Sequence, residues 1–65
     1  MSYQEDIENM TSRKKDFTNF GALLLHLCLK ADLHNLHLLR KAFPNAVEVA
    51  LHWRRTGECI SLPYD

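Results

Sequence analysis

The sequence predicts an all-α fold: a small bundle of three main helices, at about residues 12–31, 33–43 and 46–56, followed by an extended C-terminal tail. Two observations support this prediction. Apolar residues recur at spacings of three and four along each segment, and Pro44 separates the last two segments because it disfavours helical geometry in the residue before it. At 65 residues the chain has room for one domain, residues 1–65.

The first main helix contains the most apolar run of the sequence, residues 20–31. Thr11 or Ser12 is its candidate N-cap, and Phe17 and Phe20 begin its apolar stripe. Gly21 costs about 1 kcal/mol relative to alanine inside a helix. We therefore expect Gly21 to allow another helix to approach closely.

The other segments show weaker or shorter signals. Residues 2–10 are otherwise polar and are predicted to form a short helical turn, with Ser2 and Glu5 at the spacing of a capping box and Ile7 and Met10 on one face. Asp32 is the predicted N-cap of the second helix, and Asn45 with Glu48 repeats the capping-box spacing before the third. The third helix is expected to end at Gly57. The tail after it either packs back over the helices or lies on a partner.

Leucines of the 20–31 run point in nearly every direction around the helix, whereas a surface helix of a small monomer has one apolar stripe. So short a chain has little other material with which to cover them. The eight basic and eight acidic side chains balance, which weakens the repulsion between copies. The sequence therefore predicts a homodimer, with these self-association residues: Phe20, Leu24, Leu25, Leu27 and Cys28.

The balanced charge also argues against general nucleic-acid binding, which relies on an excess of Lys and Arg on one face. Short basic clusters remain near the ends of the second and third helices, where they are available to a partner. The candidate partner-binding residues are Arg40, Lys41, His52, Arg54 and Arg55. A helix-turn-helix reading of the last two helices, with the third as recognition helix, is the alternative.

No pattern indicates an enzyme, a cofactor or a metal centre. His34 and His37 are three residues apart on a predicted helix, but a second close pair of ligands is missing, so we expect no zinc site. Cys28 and Cys59 do not form a disulfide-dense pattern, which favours a cytoplasmic location. The apolar run is shorter than the roughly 20 residues of a membrane span.

The sequence as a whole favours a small non-enzymatic protein-interaction module. It is expected to act as a homodimer on an unidentified protein partner, as a regulator, inhibitor or adaptor of the kind that bacteriophages also carry. The alternative is a dimeric nucleic-acid-binding regulator that uses helix 46–56.

Overall fold

The computed structural model describes residues 2–11 and 19–65, and this part of the chain is helical with no strand. The prediction of an all-α fold is confirmed. Four helices are present where three were predicted: α1 (Tyr3–Thr11), α2 (Phe20–Lys30), α3 (Leu33–Ala42) and α4 (Pro44–Thr56).

The additional helix is α1, in the segment that was predicted to form only a short helical turn. It has nine residues and buries Tyr3, Ile7 and Met10 on one face, at spacings of four and three. The Glu5 backbone N–H donates to Ser2 Oγ over 3.2 Å, which is one of the two hydrogen bonds of the predicted capping box. The predicted helical turn, with Ile7 and Met10 on one face, is therefore present but longer than predicted, because Tyr3 extends this apolar face by one turn.

The start of the first main helix also differs from the prediction. α2 begins at Phe20, and Asn19 is its N-cap, with Oδ1 accepting the Ala22 N–H over 2.7 Å. Thr11, one of the two predicted caps, is instead the last residue of α1. The other, Ser12, lies outside the described residues, as do Phe17 and the start of the predicted 12–31 helix.

The predicted boundaries of α3 and α4 are close to those observed. Asp32 Oδ1 accepts the Asn35 N–H over 2.8 Å, which confirms Asp32 as the N-cap of α3. α4 ends at Thr56, and Gly57 follows it as the C-cap in the left-handed conformation, with φ 78°, as predicted. The Gly57 N–H donates to the Trp53 carbonyl. Phe43 alone connects the two helices, so α4 begins at Pro44.

The helices pack around a central pair, α2 and α4, with α1 against α2 and α3 against α4. Buried side chains of α2 and α4 are small or medium in size, which permits a close approach of the two helices. Buried hydrophobic residues of α1, α2 and α4 form one core cluster: Tyr3, Ile7, Met10, Ala22, Leu24, Leu25, Cys28, Ala46, Val47, Val49 and Ala50.

The C-terminal tail packs back on its own helices. Cys59, Ile60 and Leu62 lie against the core cluster. Near the end of the tail, the Pro63 carbonyl accepts a hydrogen bond from Asn45 Nδ2 over 3.0 Å. This contact holds the tail beside the first turn of α4.

Asp65 caps α4 from a distance of about twenty positions in the sequence. Its Oδ1 accepts the Asn45 N–H over 2.8 Å, and its Oδ2 accepts the Ala46 N–H over 3.0 Å. The N-cap residue of α4, Phe43, forms no side-chain cap hydrogen bond. The tail carboxylate therefore takes the role that the sequence assigned to the Asn45–Glu48 capping box.

We expect Asp65→Ala to lower the free energy of unfolding by about 1–2 kcal/mol, the range for loss of an N-cap side chain. Urea denaturation at neutral pH measures the change, and Asp65→Asn is the matched control because asparagine keeps an acceptor oxygen. An unchanged midpoint in Asp65→Ala would contradict the capping role.

Candidate functional site

One face of α2 remains exposed although the opposite face lies in the core. Phe20, Leu23 and Leu27, at spacings of three and four, form an outer ridge and are 67%, 49% and 52% exposed. Single exposed leucines are common on protein surfaces, but a contiguous apolar row on one helix marks an interaction site. We call these three residues the α2 ridge.

A groove of about 580 Å³ lies beside the α2 ridge, between α2 and α3. Leu27 forms part of one wall and Leu38, 48% exposed, lies in the other. Lys30 and Asp32 contribute charges of opposite sign to its lining. The full lining of this α2–α3 groove is Leu27, Lys30, Ala31, Asp32, Asn35, Leu38, Leu39 and Ala42.

The predicted self-association residues divide into two groups. Phe20 and Leu27 are exposed on the α2 ridge, whereas Leu24, Leu25 and Cys28 are buried in the core of their own chain. The structure thus leaves only the first group available to a second copy. Leu23 and Leu38 are exposed as well, and the spacing of Leu23 between Phe20 and Leu27 was the sequence signal for its position.

The predicted partner-binding residues do not form one patch. Arg40 and Lys41 lie in the last turn of α3, and Arg54 and Arg55 in the last turn of α4. Because one residue joins α3 to α4, the two pairs lie near opposite ends of α4, a helix about 20 Å long. His52 is half-buried, with Nδ1 at 3.3 Å from Arg55 Nη2.

Arg40 approaches Glu48, with 3.9 Å between Nη2 and Oε1, and both side chains are more than half exposed. An exposed ion pair of this length contributes little to stability. Breaking this ion pair costs little free energy, so Arg40 can bind a carboxylate of a partner instead of Glu48.

A second concave surface lies where α1, α2 and the tail meet. Tyr3 OH donates to Asp65 Oδ2, and Tyr64 OH donates to Asp6 Oδ2, each over 2.8 Å. The two tyrosine rings pack edge to face with centroids 4.7 Å apart. We call these four residues the tyrosine–aspartate interlock, which connects α1 to the tail in both directions.

Gly21 makes the close approach of α1 to α2 possible. A Cβ atom built at this position would collide with the carboxylate of Asp6, which is 4% exposed. This agrees with the expectation that Gly21 admits a neighbouring helix. No signal in the sequence indicates that a carboxylate would lie there.

Burial and hydrogen bonding shift the pKa values of three interlock groups. Desolvation, together with the bond to Asp65, raises the pKa of Tyr3 to about 12. Desolvation and the bond to Asp6 raise the pKa of Tyr64 to about 12. Desolvation favours a higher pKa for Asp65 too, but hydrogen bonds from Asn45, Tyr3 and Ala46 outweigh it and lower this pKa below its ordinary value.

The described residues hold no arrangement that indicates catalysis or metal binding. No group of three or more His, Cys, Asp and Glu side chains could hold an ion within residues 2–11 and 19–65. Cys28 and Cys59 are free thiols, and burial raises the pKa of both, which opposes formation of a reactive thiolate.

Comparison with protein-family models, curated proteins and solved structures gives no match for this chain. Over the described ranges, no helix has the length and hydropathy needed to cross a membrane. The two candidate sites are thus the α2 ridge with its groove, and the cleft beside the interlock.

We expect Gly21→Ala to destabilise the protein by about 1–3 kcal/mol, the usual cost of overpacking, although alanine favours the helix by about 1 kcal/mol. Thermal or urea denaturation checks the loss. The double variant Asp6→Ala/Gly21→Ala removes the collision and should recover part of the stability relative to the sum of the single changes. If the free-energy change of the double variant equals the sum of the two single changes, the close contact is contradicted.

The raised tyrosine pKa values predict alkaline destabilisation. A group whose pKa is higher in the folded state contributes stability that is complete below its unfolded pKa, near 10, and is lost as the pH rises to about 12. The urea midpoint of the natural sequence should therefore fall over this interval. Tyr3→Phe and Tyr64→Phe should each reduce this dependence of the midpoint on pH. If both variants keep the pH dependence of the natural sequence, the assignment is contradicted.

Proposed function

We propose that this protein is a non-enzymatic protein-interaction module that works as a homodimer through the α2 ridge and the α2–α3 groove. The supporting observation is that Phe20, Leu23 and Leu27 stay exposed on a helix whose other face is already used by the core. A helix that is apolar on both faces belongs between two layers of protein. The core supplies one layer, and a second copy supplies the other.

Three features favour a second copy as the occupant. A ridge and a groove lie side by side, so a two-fold axis would insert the ridge of each copy into the groove of the other. Lys30 and Asp32 in the groove lining have opposite charges, so the same axis can pair Lys30 of one copy with Asp32 of the other. The net charge of zero adds no long-range repulsion.

The dimer then presents its basic residues to a different protein. Arg40, Lys41, Arg54 and Arg55 are exposed and lie outside the α2–α3 groove, and His52 sits beside Arg55. Their charge suits an acidic surface on the partner. We place this activity in the cytoplasm, where free thiols persist, and in the class of small regulators, inhibitors or adaptors of the phage type.

Contacts of α4 weigh against the alternative of a nucleic-acid-binding dimer. The first turn of a recognition helix normally faces base edges and phosphates. In this protein Asn45 forms hydrogen bonds with Pro63 and Asp65, and the Asp65 carboxylate lies at the N-terminus of α4. A negative group at that position repels phosphate.

We expect Leu27→Lys to weaken the homodimer by about 100-fold or more, because each of the two copies loses a leucine that the interface would bury and gains a charge there. Sedimentation equilibrium measures the dissociation constant. Leu33→Lys is the matched control, since Leu33 is 86% exposed and does not line the groove.

Far-UV circular dichroism should show unchanged helicity in both variants, because neither leucine is buried. A natural sequence that remains monomeric at high protein concentration, or equal dimer affinity in the two variants, would refute the proposed interface.

A further inference from the structure

A cleft of about 200 Å³ opens beside the tyrosine–aspartate interlock, between α1, the start of α2, the start of α4 and the tail. One water molecule needs only about 10–15 Å³ of such space, so the cleft admits a group of several heavy atoms. It is smaller than the roughly 300–1,000 Å³ of a pocket for a drug-sized ligand. We call it the aromatic cleft.

Four aromatic rings contribute to its lining: Tyr3, Phe20, Phe43 and Tyr64. They form two pairs, with Tyr3 and Tyr64 edge to face and with the Phe20 and Phe43 centroids 5.9 Å apart at an angle of 56°. The lining of the cleft thus contains four aromatic rings that are set at different angles to one another. The negative face of an aromatic ring attracts a cation.

Two carboxylates, Asp6 and Asp65, complete the lining. Asp6 is more than nine-tenths buried, and its Oδ2 accepts the Tyr64 hydroxyl. Within residues 2–11 and 19–65, neither carboxylate forms an ion pair with Lys or Arg. Asp65 is compensated in part by the N–H groups at the N-terminus of α4, so Asp6 is the carboxylate of the lining with the fewer hydrogen bonds from the described residues.

We propose that the aromatic cleft binds an alkylammonium group, and specifically a quaternary one such as the headgroup of choline or the end of a trimethylated lysine side chain. Ring faces and carboxylates both attract positive charge, so the lining attracts a cation and repels an anion. The size of the cleft fits a headgroup that enters end-on. The cleft shares no lining residue with the α2–α3 groove, but Phe20 belongs both to the cleft and to the α2 ridge.

The hydrogen bonds already formed around the cleft favour the methylated form. Both oxygens of Asp65 accept bonds from Asn45, Ala46 and Tyr3, and both tyrosine hydroxyls donate to carboxylates. A primary ammonium has three N–H donors and a guanidinium has five, and each of these needs an acceptor. The cleft has few acceptors left for them. A quaternary ammonium has no donor to satisfy, and charge and ring faces alone hold it.

Titration with choline chloride, followed by NMR of the aromatic side chains, tests the proposal. We expect saturable shifts of the Tyr3, Phe20, Phe43 and Tyr64 ring signals. The neutral isostere dimethylbutanol, in which a carbon atom replaces the nitrogen, should bind about tenfold more weakly, as expected for the loss of cation–π and charge attraction. Equal affinity for the isostere, or no saturable shift with choline at tens of millimolar, would overturn the proposal.

Variants of the lining provide a second readout. Tyr64→Phe keeps the ring and should bind choline, whereas Tyr64→Leu removes it and should weaken binding several-fold. Phe20→Leu should also weaken binding, and it is measured in the Leu27→Lys background because Phe20 also lies on the α2 ridge. Phe20 is exposed, so this variant tests the role of the rings if Tyr64→Leu does not fold. Unchanged affinity in Phe20→Leu would contradict the role of the rings.

Two controls separate this site from the dimer and identify the source of the cation. Leu27 does not line the aromatic cleft, so Leu27→Lys should retain choline binding whether or not it dimerises. A peptide with one trimethyllysine, compared with the same peptide carrying unmodified lysine, tests a protein-borne source. Tighter binding of the methylated peptide supports the proposal, and preference for the unmodified lysine contradicts it.

Discussion

The hydrogen bonds around the N-terminus of α4 determine how the rest of this small protein is arranged. α4 follows α3 after a single residue, so its first turn has no local side chain that accepts the free N–H groups. Asp65 supplies the acceptor, which fixes the tail beside α4. Tyr3 and Tyr64 then join the tail to α1, and Asp6 holds α1 close to α2 at Gly21.

This arrangement has a direct effect on α2. With α1 packed on one side and α4 on another, the inner residues Leu24, Leu25 and Cys28 are covered within one chain. The ridge of Phe20, Leu23 and Leu27 is not covered. A chain of 65 residues buries a limited share of its surface and gains a correspondingly small stability, so association of copies through this ridge would stabilise the fold as well as serve its function.

Local signals in the sequence were sufficient for much of the fold. Asp32 and Gly57 mark the ends of helices through bonds to residues three or four positions away, and such caps can be read from the sequence. The interlock cannot be read in this way. Tyr3 and Asp65 are 62 positions apart, and Tyr64 and Asp6 are 58 apart, so no spacing rule connects them.

The prediction for α2 failed in part for a related reason. The segment before it was predicted to form only a short helical turn, so α2 lacked a visible neighbour. Leu24, Leu25 and Cys28 were therefore assigned to a second copy together with the residues that are exposed. Once α1 is a helix with Tyr3, Ile7 and Met10 buried, that neighbour exists, and only the outer residues of α2 remain for a partner. A single aromatic residue, Tyr3, thus changes the interpretation of a helix far along the sequence.

The central claim is that the two faces of α2 have different roles, the inner face in the core and the outer face between copies. Intermolecular nuclear Overhauser effects in a mixture of isotope-labelled and unlabelled protein test it most directly. The account predicts contacts between copies from the methyl groups of Leu23, Leu27 and Leu38, and none from Leu25. Intermolecular contacts from Leu25, or a dimer with no contacts from Leu27, would contradict it.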